Sequence, residues 1–250
     1  MANNSNMIIK SIAVLRAFTD VQQEWGVNEL ARHMSMPVSS LHRILKSLRD
    51  EGLLDILPQS NKYSFGPELI RMSAIVRSKS NLNMVAKPII QHLSQQLDET
   101  IYLALYYPAY FRLAFIDIVQ SSRKLQYMLE LGVHYPIHIA ASGKAILSQL
   151  PAATIEQVIA QENLSANDAD QLIQLLHQFN QQGYAESISE RQSDSYGISA
   201  PFFDASGAVV GSITCAIPVP FFDDARKPGI VEAVKSAALS LSRQLGYIGR

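Results

Sequence analysis

Several things are scarce in this chain, and each scarcity excludes something. One cysteine, Cys215, in 250 residues leaves no disulfide framework, so a reducing cytoplasm is the expected compartment. No apolar run is long: those around 101–107 and 111–119 have the length of strands and fall well short of a membrane span. The start, MANNSNMIIK, lacks a basic region leading into an apolar stretch, so no signal peptide is expected. Charged residues make up only 17%, with a net charge of −1. Catalytic signatures are missing too: there is no serine-nucleophile motif, glycine-rich dinucleotide loop or metal-hydrolase pattern.

Partial motifs do not fill those gaps. Ser142-Gly143-Lys144 suggests a phosphate loop, but His138 stands where that motif needs glycine and Ala145 where it needs a hydroxyl. His134 and His138 have a metal-like spacing, yet Pro136 lies between them and no cysteine or carboxylate cluster accompanies them; no metal or cofactor is expected. Cys215 sits in an apolar stretch with no histidine near in sequence, which fits a small core residue better than a nucleophile. Glu186, Glu190 and Asp194 fall in a polar segment and read as solvated charges or the edge of a ligand pocket rather than as an acid–base pair.

What is present is more informative. At 250 residues with 48% apolar composition, the chain has room for one small and one medium domain. The organising stretch is GVNELARHMSMPVSSLHRILKSLRDEGLL, from Gly26 to Leu54. It reads as two amphipathic helices joined by a turn at Ser35-Met36-Pro37, the second with Val38, Leu41, Ile44, Leu45 and Leu48 on an apolar face. That leaves Ser39, Ser40, His42, Arg43, Lys46 and Arg49 outside. Hydroxyls at a helix start suit phosphates or base edges, an arginine a turn later suits a guanine edge, and Lys46 and Arg49 suit phosphates. Strands at 53–57 and 62–65, joined by Pro58-Gln59-Ser60-Asn61, make a wing with Lys62 at its tip. Helix pair, polar outer face and wing in that order predict a winged helix-turn-helix bound to double-stranded DNA.

Charge is distributed to match. Residues 1–80 carry 10 Lys/Arg against 7 Asp/Glu, and residues 81–250 carry 11 against 15. A surplus of three positive charges is modest, so useful affinity is expected when two or more copies bind together.

In chain order, Ile8, Ile12, Leu15 and Phe18 predict a first helix closing the small core, followed by a surface loop with the single tryptophan, Trp25. A helix from Pro67 to Ser78 with Leu69, Met72, Ile75 and Val76 on one side follows the wing. It is expected to pack on the same helix of another subunit, the alternative being its own domain. The polar stretch SKSNLN marks the junction, giving domains at 1–66 and 82–250 with a linker helix at 67–81. The second domain reads as a helix to Leu97, strands at 100–107, 111–119 and 126–131, a loop into a helix starting near Ser142, and helices at 153–161 and 166–182 ended by Gly183. Strands at 184–187, 197–203 and 208–217 and a helix from 225 to 245 complete an α+β domain.

The runs PVSSLHRILKSLRDEGLL, NKYSFGPELIRM, PIHIAASGKAILSQL and GISAPFFDASGAVVGSITCAIP, in this order and spacing, resemble the IclR family of bacterial transcriptional regulators. The resemblance implies an N-terminal winged helix-turn-helix, a linker helix and a GAF-like C-terminal α/β effector domain. It also implies a dimer or tetramer on an operator, a small organic-acid effector, and an effector pocket at Ala140, Ala141, Ser142 and Gly143, the segment 184–197, and the last strand. Backbone amides offered by small residues at a helix start agree with a carboxylate site. Where relatives that bind very small keto or aldehyde acids place an aspartate, a cysteine and two serines, this chain has Ser187, Gly197, Thr214 and Ala216. That departure favours a larger or less polar acid. The expected protein is thus a DNA-binding regulator, a repressor, with no membrane attachment. The alternative is an enzyme turning over a small acid in the C-terminal domain.

Overall fold

The computed structural model describes residues 2–79, 81–123 and 129–249. Two compact units divide the chain, 1–80 and 81–250.

In the first unit, α1 (Ala2–Asp20), α2 (Val27–His33) and α3 (Val38–Asp50) precede a hairpin of β1 (Leu54–Ile56) and β2 (Tyr63–Phe65), and α4 (Pro67–Lys79) ends it. Each local feature has a local cause. At the start of α2 the Glu29 carboxylate reaches back to the Gly26 amide, 3.4 Å away. Ser35 takes φ +48° to turn the chain, and Pro37 precedes α3 in extended geometry, as a residue without an amide hydrogen can. The apolar positions Leu41, Ile44, Leu45 and Leu48 of α3 are buried with Leu30, Ala31, Val14, Ala17, Phe18 and Leu54 in one core.

Three expectations fail here. Trp25 is not in a surface loop: it is 3% exposed, its Nε1 donates to the Ala17 carbonyl at 3.0 Å, and its backbone pairs with Tyr63 as a third element of the wing. Val38, by contrast, is exposed, because it lies at the first turn of α3, beyond the reach of the core. Ile8 and Ile12 of α1 are exposed as well, and Val14, Ala17 and Phe18 do the burying.

The second unit begins with α5 (Asn81–Leu97), then β3 (Thr100–Tyr107), β4 (Arg112–Val119), β5 (His134–Pro136), α6 (Ala140–Leu147), α7 (Ala152–Gln161), α8 (Ala166–Gln182), β6 (Ala185–Ile188), β7 (Ser195–Phe203), β8 (Val209–Pro218) and α9 (Lys227–Gln244). Six strands form one antiparallel sheet in the order β5-β4-β3-β8-β7-β6. Alternation along the strands feeds two cores. Ile101, Leu103, Ile198, Ile213 and Cys215 pack against α5 and α9 through Ile90, Leu93, Val234 and Leu241. Tyr102, Ala104 and Phe115 pack on the opposite face with Ile146, Leu147, Val158, Leu172 and Leu176 of α6, α7 and α8. Coverage of both faces explains why β3, β7 and β8 read as almost unbroken apolar runs. Gly183 ends α8 at φ +78°, its amide returning to the Phe179 carbonyl.

The expected strand at 126–131 falls largely on residues outside those described, and 129–131 form no strand. The edge strand is instead β5, in a segment expected to be loop, and α6 begins at Ala140 rather than near Ser142.

Candidate functional site

Two surfaces qualify, one in each unit. On α3, Ser39, Ser40, His42, Arg43, Lys46 and Arg49 are all exposed. Lys46 and Arg49 each stand 3.8 Å from the exposed Asp50, pairs too loose and too wet to hold either side chain in place. Arg43 has no ion pair with any described residue. Lys62 lies at the base of the wing loop, half-buried, 3.8 Å from Glu29. The wing loop itself is closed by Leu57 and Lys62, with Asn61 at φ +53°.

The second surface is a slot between α6 and the sheet. Gly143 sets the closeness of α6: a β-carbon there would lie 2.5 Å from the Ile137 carbonyl oxygen, so only glycine fits without moving backbone. Ser212 Oγ donates to the Ser142 carbonyl at 3.0 Å and ties the helix to β8. The slot has a volume of about 50 Å³ and is lined by Ala140, Ala141, Ser142, Ser187, Gly197, Thr214 and Ala216 together with Tyr102, Phe115, Arg191 and Tyr196, among others. Of the eight residues expected to bind an effector, seven line it; Gly143 acts from behind, through helix placement.

Two charged groups in the segment 184–197 bear on its electrostatics: Arg191, which lines it, and Glu190, which lies at its edge. The loop between β6 and β7, with Ser189 and Asp194 at φ +54° and +57°, turns Glu190 and Arg191 inward. Glu190 accepts from the Ala140 amide at 2.9 Å and from Lys144 Nζ at 2.6 and 2.7 Å; Lys144 is buried. Ser187 Oγ accepts from the Ala141 amide at 2.8 Å. Two of the amides expected to take a ligand's carboxylate, those of Ala140 and Ala141, are therefore occupied by the protein's own carboxylate and hydroxyl. Glu190 is partly exposed yet paired at the edge of the pocket, the second of the two readings given for it, and Ala140, at φ +65°, is held in a left-handed conformation that alanine rarely adopts.

Arg191 donates to Ser142 Oγ at 2.6 Å and to the Ile139 and Pro136 carbonyls at 2.8 and 3.2 Å, with Tyr135 and Phe115 rings 4.9 and 5.5 Å from its guanidinium carbon. Burial pulls its pKa down to about 10, with Tyr135 and Glu190 holding it up. No carboxylate lies within ion-pair distance of it among the described residues. At Gly197 there is little spare volume: a β-carbon there would sit 3.3 Å from the Ala141 β-carbon and 3.4 Å from Ser187 Oγ.

Elsewhere, Glu186 binds Tyr196 and Lys227, so it too is engaged. The His134 ring lies 5.0 Å from that of Tyr107 and tilted to it, His138 lies 3.9 Å from Glu162, and no group of three or more metal-ligating residues exists among those described. Cys215 is fully buried, and that burial raises its thiol pKa. It should react with a thiol reagent only on unfolding; rapid labelling of the native protein would contradict that placement. No helix among the described residues is long and apolar enough to cross a membrane.

A wing and an exposed recognition helix, followed by an α/β unit with a largely apolar slot, define a winged helix-turn-helix DNA-binding protein with a separate regulatory domain. The sequence matches the IclR helix-turn-helix domain over residues 8–55 and the bacterial transcriptional regulator IclR C-terminal domain over residues 74–243. The chain belongs to the IclR family of bacterial transcriptional regulators. It is 28% identical to the regulator KipR of Bacillus subtilis, across 99% of this chain and 100% of that protein. It is 25% identical to KdgR of Escherichia coli, across 96% and 92%. Among solved structures, an IclR regulator from Alicyclobacillus acidocaldarius superposes with a TM-score of 0.87 at 21% identity, covering 96% of this chain and 99% of that one. An IclR homologue from Microbacterium hydrocarbonoxydans, crystallised with 4-hydroxybenzoate, gives 0.79 at 19% identity, covering 96% and 98%. The relatives are named as regulators, and nothing among them supports the enzyme alternative.

Proposed function

We propose that this regulator grips operator DNA through Ser39, Ser40, His42, Arg43, Lys46 and Arg49 of α3 with Lys62 at the wing, and that a small organic acid in the α6 slot controls that grip. The observation that carries the DNA half is Arg43, an exposed guanidinium on the outer face of α3 with no ion pair among the described residues. The effector half rests on the enclosed slot and on the 4-hydroxybenzoate bound by a homologue. Exposed Ile8, Ile9 and Ile12 on α1 and Ile70, Met72 and Ile75 on α4 support assembly into dimers, as apolar surface of this extent is normally covered. In this reading α4 is the linker helix, α5 begins the effector domain, and the protein works in the cytoplasm as a repressor.

The test is DNA binding to a duplex selected in vitro from random sequence. Arg43→Ala should weaken that site by about 1–3 kcal/mol and relax base preference at one position. Lys46→Ala should weaken selected and random duplexes alike and reduce the salt slope by about one. Arg43→Ala binding both duplexes like the parent would remove α3 from the interface.

A further inference from the structure

Arg191 is a cation in the lining of the slot, and among the described residues no carboxylate stands within ion-pair distance of it. Outside the lining, Lys144 has Glu190 and Lys227 has Glu186, whereas the hydrogen bonds of Arg191 among the described residues go to a hydroxyl and two carbonyls. Three of its five N–H donors are engaged in those bonds, leaving two for something else. A mostly buried guanidinium whose hydrogen bonds go to neutral partners is costly even with the Glu190 charge nearby, and a bound anion would offset the cost.

Resting on the effector reading above, we propose that Arg191, and not the start of α6, anchors the effector, and that the effector is a monocarboxylate with an apolar body. The first two α6 amides, of Ala140 and Ala141, are committed to Glu190 and Ser187, so a second carboxylate placed on them would face Glu190 directly. At Arg191 a single negative charge balances a single positive one. A dianion such as a phosphate monoester brings one charge too many beside Glu190. The rest of the slot includes Tyr102, Phe115, Leu129 and Ala216, which suit an alkyl or aryl group, while the Thr214 and Ser195 hydroxyls are engaged with Ser199 and the Gln192 carbonyl. Ser142, which accepts from Arg191, ties the anchor to α6, so neutralising the guanidinium acts on the helix as well as on the ligand.

The experiment uses the full-length protein with acetate, isobutyrate and benzoate, each set against its neutral amide, in thermal-shift and calorimetric titrations. At least one acid should raise Tm while its amide leaves it unchanged. Arg191→Gln should lose about ten- to a hundred-fold in affinity for that acid, and Arg191→Lys should keep part of it. If Arg191→Gln fails to fold, the parent protein's discrimination between acid and amide decides alone. Acids and amides binding alike, no acid giving a shift, or Arg191→Gln binding like the parent overturns the anchor. These results separate it from the control reading. A neutral ligand that releases DNA keeps the control and removes the anchor, whereas an acid held by Arg191 that leaves DNA affinity unaltered does the reverse.

Discussion

Trp25→Ala should unfold the N-terminal unit and abolish DNA binding while the C-terminal unit keeps its own transition. Truncating a fully packed tryptophan costs about 3–5 kcal/mol, and a domain of this size is stable by only about 4–12 kcal/mol. Here the loss has three parts. The ring leaves the centre of the small core, where Trp25 is 3% exposed and lies 5.1 Å from the His33 ring. The Ala17 carbonyl loses the indole donor that links α1 to the wing. The Trp25–Tyr63 bridge, which ties the start of α2 to β2, loses the side chain that holds it in place. Calorimetry should therefore show the lower transition displaced or missing. A melting profile identical to the parent's would mean that the tryptophan is not the keystone its burial indicates.

The second large effect is expected at Glu190→Ala. Lys144 has a side chain only 9% exposed, and Glu190 is its counter-ion at 2.6 Å. Removing one partner of such a pair leaves the other buried and charged, typically a loss of 3–5 kcal/mol; because Glu190 is 34% exposed and water would reach the vacancy, about 3 kcal/mol is expected. The Ala140 amide loses its acceptor at the same time, and that bond helps hold its positive φ. Tm of the C-terminal unit should fall by roughly 6–12 °C. Adding Lys144→Met to Glu190→Ala should recover much of that, since the orphaned charge is then gone. A double variant as unstable as the single one would show that Glu190 matters through the α6 start and not through Lys144.

Apolar periodicity located α2 and α3 because a helix that buries one side must repeat its apolar residues at helical intervals, and Leu41, Ile44, Leu45 and Leu48 do so. The same rule misplaced Ile8, Ile12 and Val38, which have the right spacing but stay exposed. Spacing shows that a side is apolar, and nothing about what covers it. Trp25 was misjudged for a related reason: its neighbours in sequence are polar, and only the pairing with Tyr63, far along the chain, makes that position interior.

The sequence by itself determined the local elements, the helix-turn-helix with its wing, the charge asymmetry between the halves and the small residues at the start of α6, since each depends on side chains a few positions apart. Tertiary structure alone decided what the slot contains. Glu190 and Arg191 lie about fifty positions from Ala140 and Ser142, and they reach them only because α6, α7 and α8 carry the chain from one edge of the sheet to the other before β6 and β7 fold back. Which charges are paired inside the protein depends on distances across that fold, and no local pattern encodes them.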